Sequence, residues 1–236
     1  MSYAGRGIHG AVVETLGARV VAGQVGEGAT LDPRSLVTEL DVSLTVIRES
    51  LKVLASKGLV ASRQKRGTYV RARSEWNVLD ADVIRWRVDG GEAAVVLRDL
   101  AEMRGIVEPA AVRRAAERRT DDDLRALDAA LDAMAHAGTD IAAAASADAE
   151  FHRALLAASG NEMLARLHEL MEPALRARDS IVHAYPDAAD DPVPSHRAVL
   201  EAIRRRDADG ATAAMVELLA KAETDLGVAV GDVDAP

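Results

Sequence analysis

Cysteine is absent from this 236-residue chain. That excludes disulfides, thiolate metal sites and cysteine nucleophiles, and it fits a reducing compartment. Aromatic residues are almost as scarce: one Phe, two Trp and three Tyr leave Ala, Leu, Val and Ile to build the core. Long hydrophobic runs are missing as well. No stretch approaches the ~20 apolar residues a membrane helix needs, and no signal-like apolar segment opens the chain. A cytoplasmic protein without a membrane partner is therefore expected. No HExxH helix, glycine-rich phosphate loop or second carboxylate cluster is present to suggest hydrolytic or phosphoryl-transfer chemistry.

What is present is alanine-rich sequence spaced by Arg, Glu and Asp, a composition that favours helix. The net charge of −9 is unevenly spread. Residues 1–75 carry 11 Lys/Arg against 7 Asp/Glu, a balance of +4, while residues 76–236 carry 18 against 31, a balance of −13. A small basic module joined to a larger acidic body suggests a polyanion-binding head on a body with another task.

The basic module has a readable order. Val12, Val13, Leu16, Val20 and Val21 make a helical stripe over Ile8–Val21. The segment "GQVGEGATLDP" (23–33), with three glycines and a proline, is expected to be a loop. Asp32 can cap a short helix from Pro33 to Leu40, and Ser43 a longer one, "LTVIRESLKVLASKG", closed by Gly58. "LVASRQ", "KRG" and "TYVRA" then form two short strands around a basic turn. Helix, short helix, turn, helix and hairpin is the order of a winged helix-turn-helix, whose second helix of the pair enters the DNA major groove. With Val46, Ile47, Leu51 and Leu54 facing the core, Ser43, Thr45, Arg48 and Lys52 point outward. The planar fork of Arg48 suits guanine O6 and N7. At the hairpin tip, Lys65, Arg66 and Gly67 combine two cations with close backbone approach to phosphate. The alternative, a solvated basic helix and turn, leaves the ordered pattern unexplained.

The stretch "LVTELDVSLTVIRESLKVLASKGLVASRQKRGTYV" (36–70) resembles the DNA-binding domain of the GntR family of bacterial transcription regulators. The resemblance places base and phosphate contacts on Arg34, Ser43, Thr45, Arg48 and the wing at Lys65–Gly67. Leu44 stands where the family usually has an arginine, so one contact is expected to be lost and the operator preference altered.

From Glu92 the chain reads as helices over 92–118, 121–136, 139–159, 161–184, 195–207 and 209–227. "EMRGIVEPAAVRRAAERRT" (102–120) and "DAEFHRALLAASGN" (148–161) resemble the all-α FCD ligand-binding domain of the FadR-type subgroup. The expected fold class is mainly α: a winged helix-turn-helix at 1–73, a linker with a short helix at 74–91, an all-helical ligand-binding and dimerisation domain at 92–230, and a tail at 231–236. Trp76 and Trp86 are expected to pack the linker helix.

Within "SADAEFHRAL" (146–155), Asp148 and His152 lie four apart and share a helix face. By itself this spacing is equally an Asp–His hydrogen bond. In FCD domains, however, an aspartate and three histidines commonly hold a divalent metal. The resemblance carries that role to Asp148, His152 and His196, and puts Leu218 where a fourth ligand would stand. Three protein ligands suit a zinc or nickel site with open positions; metal-free binding of a polar ligand by the same residues is the alternative. Arg104 matches a recurrent basic position and could pair bidentately with a carboxylate. The competing reading is an Arg104–Glu108 pair on a solvated face. Lys221, one turn past Leu218, is a second candidate cation. His9, His136, His168 and His183 show no comparable pattern, although His183 lies near the proline-rich segment "YPDAADDPVP", where Tyr185 could cover a pocket.

The resemblance implies a ligand-responsive DNA-binding repressor, and the linker "SEWNVLDADVIRW" (74–86) implies a sugar acid such as galactonate as effector. A homodimer on near-palindromic double-stranded operator DNA is expected. Two other readings remain at this point: a metal-dependent enzyme domain fused to a DNA-binding head, and a purely architectural DNA-binding protein.

Overall fold

A computed structural model describes residues 7–183 and 191–231, with side chains left undescribed at 170, 173, 177, 179–183 and 225–231. The chain divides into two units, the first ending at Ala93 and the second beginning at Ala94. The first contains α1 (Gly7–Val21), β1 (Thr30–Leu31), α2 (Pro33–Leu40), α3 (Leu44–Ser56), β2 (Val60–Arg63), β3 (Gly67–Val70) and α4 (Ala81–Arg87).

Apolar residues at helical spacing build its core. Val13 and Leu16 of α1, Leu36 of α2, Ile47 and Leu54 of α3, and Val60 and Val70 of the hairpin are buried in one cluster. Each such side chain contributes about 1.5–3 kcal/mol on burial. Local chemistry sets the helix starts. The Asp32 carboxylate accepts from the Arg34 and Ser35 amides with Pro33 in the first turn, and Ser43 Oγ accepts from the Val46 amide at 3.3 Å. Asp41, in the left-handed region at φ 51°, turns the chain between α2 and α3. Gly58 ends the pair at φ +76°, where a Cβ would come within 2.7 Å of the Glu75 carbonyl oxygen.

The wing has three strands in the order β1-β3-β2 rather than two. Thr30 pairs with Tyr69 and Leu31 with Thr68, inside the segment expected to be a loop. Two residues are too short for an alternating pattern to reveal a strand. Leu31 buries its side chain, which fixes the register.

Helix α4 is part of this unit. Asp80 caps it, and Trp86 is 2% exposed against α1, where Gly17 leaves room for the indole. Trp86 Nε1 donates to Glu14 Oε2 at 2.8 Å, and Lys57 Nζ bridges Asp80 and Asp82, each at 2.8 Å. A π-helical turn, Val88–Glu92, follows, with Gly91 at φ 95°.

The second unit contains α5 (Ala93–Arg118), α6 (Asp121–His136), α7 (Ile141–Ala158), α8 (Glu162–His183), α9 (Val193–Arg204) and α10 (Ala208–Gly231). Helix α7 packs on α6 and α8, and α9 on α10 and α6. Phe151, Leu155 and Leu156 of α7 are fully buried, as are Leu127 of α6, Leu175 of α8 and Ile203 of α9. Thr120 and Asp123 form a reciprocal capping box at the start of α6. Among the described residues no helix is long and apolar enough to cross a membrane.

Candidate functional site

Two polar constellations stand out, one in each unit. In the first, α3 turns Ser43, Thr45, Arg48 and Lys52 to the exposed side while Ile47, Leu51 and Leu54 face the core. Leu44 is half-buried. The Ser43 hydroxyl accepts the Val46 amide at the helix cap and keeps its O–H free to donate. Lys52 meets Glu49 at 2.7 Å in an exposed pair of little energetic weight. Arg34, Arg48 and Lys65 are exposed, with no side-chain hydrogen bond or ion pair among the described residues. Lys65 takes φ 67° at the hairpin tip and Gly67 takes φ 80°.

Arg66 differs from its expected companions. Its Nη2 donates to the Gly28 carbonyl at 3.0 Å, and its guanidinium lies 3.9 Å from the Tyr69 ring centroid. It braces the wing to the preceding loop. Exposed Arg63, 5.4 Å from the other partner of this stack, Tyr69, is a cation of the same hairpin that sequence reasoning passed over.

In the second unit, α7 and α9 bring Asp148, His152 and His196 together, with one ligand atom from each lying within 4.8 Å of the others. All three are buried. His196 Nδ1 donates to the Pro192 carbonyl at 2.8 Å, which turns Nε2 inward. That Nε2 is buried 3.1 Å from Asp148 Oδ1 without hydrogen-bond geometry. Two acceptor atoms facing each other in this way suit a shared cation or a proton.

Two arginines complete the cluster. Arg104 Nε donates to Glu108 Oε1 at 2.8 Å, and its Nη2 lies 2.8 Å from His152 Nε2. His152 Nδ1 lies 3.1 Å from Glu108 Oε2. The Arg104–Glu108 pair expected on a solvated face therefore exists but is buried, with side chains 3% and 0% exposed. The physical reason is position: Leu97, Leu100, Arg104, Glu108, Ala111 and Ala115 follow one inward stripe of α5. Arg178 of α8 donates to Asp148 Oδ2 at 3.3 Å.

The electrostatics follow from these contacts. Burial pushes the Glu108 carboxyl up, but Arg104 and His152 outweigh it and bring it to about 2. Asp148 is likewise driven up by burial and held well below the usual carboxylate range by Arg178, His152 and His196. For His152, burial lowers the value and Arg104 adds to the lowering against Glu108 and Asp148, so the ring is neutral near pH 7.

A solvent-open cavity is walled by Leu97, Leu100 and Leu219, with Arg104, Arg178 and Glu223 supplying charge. Lys221 does not line it; its Nζ donates to the Asp191 carbonyl at 3.2 Å. Leu218 is buried in α10. Trp76 is buried and donates to the Arg71 carbonyl at 3.2 Å, so both tryptophans are structural. His168 is a core histidine, 6% exposed, and His136 bonds the Asp132 carbonyl on the surface. Tyr185 lies outside the described residues, as does the side chain of His183.

The chain matches two protein families. Residues 9–70 match "Bacterial regulatory proteins, gntR family" and residues 99–221 match the FCD domain. It is 33% identical to the galactonate operon transcriptional repressor of Escherichia coli (strain K12), over 89% of this chain and 92% of that one. It is 31% identical to the HTH-type transcriptional repressor NanR of Cronobacter sakazakii, over 81% of this chain and 75% of the relative. Among solved structures, Lar of Listeria monocytogenes shares the fold with a TM-score of 0.66 at 16% identity, over 94% of this chain and 98% of the other.

Proposed function

This chain belongs to the GntR family of bacterial transcription regulators, with an FCD domain, and from that premise we propose that it is a homodimeric repressor released from its operator by a sugar acid such as galactonate. A ligand-responsive DNA-binding regulator is what its two domains and its relatives have in common. Those relatives are regulators rather than enzymes, so the water-activating reading of the cluster falls away.

One observation carries the choice of effector: a buried Asp–His–His cluster flanked by Arg104 and Arg178 beside an apolar-walled cavity. A small carboxylic acid fits such a place. Its carboxylate can meet a guanidinium fork, and its hydroxyls can bond Glu223, which lines the same cavity. The sugar-acid assignment draws on the 33%-identical galactonate repressor. Arg178 replaces Lys221 as the second cation in this reading, because it is Arg178 that lines the cavity.

The residues also fit a divalent ion, zinc or nickel, held by Asp148, His152 and His196. The unsatisfied, inward-facing Nε2 of His196 is the atom such an ion would satisfy, and the Pro192 carbonyl fixes the ring in the required tautomer. Bound there, the ion would offer open positions to the acid's oxygens. Leu218 contributes no fourth ligand.

In the DNA-binding unit, Arg48 reads base edges, while Arg34, Ser43, Thr45, Lys52, Lys65 and the Gly67 backbone contact DNA near it. Arg66 assists from its brace. A thermal-shift screen of sugar acids, with and without chelator, tests the effector assignment. Galactonate should raise the unfolding midpoint, since a ligand that binds only the native state stabilises it. No shift with any sugar acid would exclude this effector class.

A further inference from the structure

The lone pair of His152 Nε2 has two claimants. His152 Nδ1 lies 3.1 Å from Glu108 Oε2 and 3.4 Å from Arg104 Nη2, and a proton on Nδ1 satisfies the nearer carboxylate. A neutral imidazole then has a single acceptor, on Nε2. Arg104 Nη2 lies 2.8 Å from that atom and donates to it. A metal ion needs the same lone pair.

Resting on the effector site described above, we propose that Arg104 is a built-in competitor of the metal. Loading of the ion on Asp148, His152 and His196 displaces the guanidinium from His152, and the freed guanidinium then receives the acid in the cavity it lines. The other arginine has no such conflict. Arg178 takes Asp148 Oδ2 at 3.3 Å, leaving Oδ1 toward His196 at 3.1 Å and His152 at 3.8 Å. A carboxylate can serve a guanidinium and an ion at once through its two oxygens; an imidazole nitrogen cannot.

The geometry also supplies a tether. Arg104 Nε is held by Glu108 Oε1 at 2.8 Å, so the outer part of the guanidinium can leave His152 without the buried charge losing its counter-ion. Glu108 Oε2 keeps its hold on His152 Nδ1 and with it the ring orientation. Arg104 and Arg178 already line the same cavity. Metal and effector would thus cooperate through one side chain: the ion arms the anion-binding arginine, and the anion keeps that arginine off His152.

Zinc affinity, read by competition with a chromogenic chelator on the full chain, tests the competition directly. Arg104→Met should bind zinc roughly ten- to a hundredfold more tightly than wild type, the weight of one hydrogen bond involving a charged group. Arg178→Met removes a charge from the same cluster and should gain far less. Equal gains in both variants, no gain in Arg104→Met, or no zinc binding by either wild type or Arg104→Met would overturn the proposal. A crystal structure of zinc-loaded wild type gives the answer without any variant. Arg104 should no longer reach His152 Nε2, and an intact contact beside bound zinc would refute the competition. Galactonate release of DNA, titrated separately, stands or falls independently of these outcomes.

Discussion

Glu108 is fully buried and would be costly to keep charged without Arg104 and His152 around it. Breaking a buried pair strands the remaining charge, which typically costs about 3–5 kcal/mol. Glu108→Leu should therefore lower the stability of the helical unit by about that amount, read from urea unfolding. A loss below about 1 kcal/mol, the scale of an exposed pair, would show that the site is wetter than its burial implies. Arg48, by contrast, is exposed and holds nothing together. Arg48→Ala should leave the unfolding midpoint unchanged and cost roughly 1–3 kcal/mol in operator binding, with relaxed preference at one base pair per half-site. Wild-type operator affinity in that variant would misplace the recognition helix.

His168 gives a further pH signature, with His152 among the charges that act on it. Burial lowers its value, with Glu172 opposing and Arg153 reinforcing. The unfolded chain therefore binds a proton more readily than the folded one. The stability contribution is complete above the ordinary histidine value near 6.5 and is lost as pH falls toward the lowered folded value. His168→Leu should flatten the fall in unfolding midpoint just below pH 6.5, and an unchanged slope would assign that fall to other groups. At this scale the sequence was partly legible. The i, i+4 spacing of Asp148 and His152 is visible in one helix, whereas Arg178 meets Asp148 from thirty positions away. A signal did exist: Met171, Ala174 and Leu175 are buried on α8, and Arg178 continues their stripe. Arg104 and Glu108 continue the stripe of Leu97 and Leu100 in the same way. A charge at a core position of a helical stripe is a better guide to a site than its i, i+4 neighbour.

Among the elements, the helices were legible because their ends carry their own chemistry: Asp32 and Ser43 as caps, Thr120 in its capping box, Gly58 at a left-handed stop. The two-residue strand β1 and the docking of α4 were not, since both depend on partners distant in sequence. The docking relocates the natural joint. Residues 74–86 look like a linker, yet Trp86, Lys57 and Glu14 fasten them to the DNA-binding unit. The chain leaves that unit through Val88–Glu92, where Glu92 is held by Arg73 and Arg87 and Gly91 takes φ 95°. A Cβ at Gly17 would lie 2.3 Å from Trp86 Cη2. Gly17→Ala should accordingly destabilise the DNA-binding unit by roughly 1–3 kcal/mol, as overpacking does. An unaffected midpoint would show that the indole can move aside.

For the whole molecule, the two units must exchange free energy, and a ligand can shift DNA binding only by its different affinity for the DNA-competent and incompetent states. The exchange is reciprocal: operator must weaken acid binding by the factor with which the acid weakens operator binding. Two-fold symmetry of a dimer would be mirrored in paired half-sites. The decisive measurement is fluorescence anisotropy on a DNA site that the protein itself selects from a random pool, titrated with galactonate at fixed salt. Operator affinity of the wild type should fall by roughly 5–150-fold, a coupling of about 1–3 kcal/mol. Asp148→Ala should bind the same DNA as tightly and show no fall. An acid that binds the helical unit while wild-type operator affinity stays constant would contradict the proposed repressor.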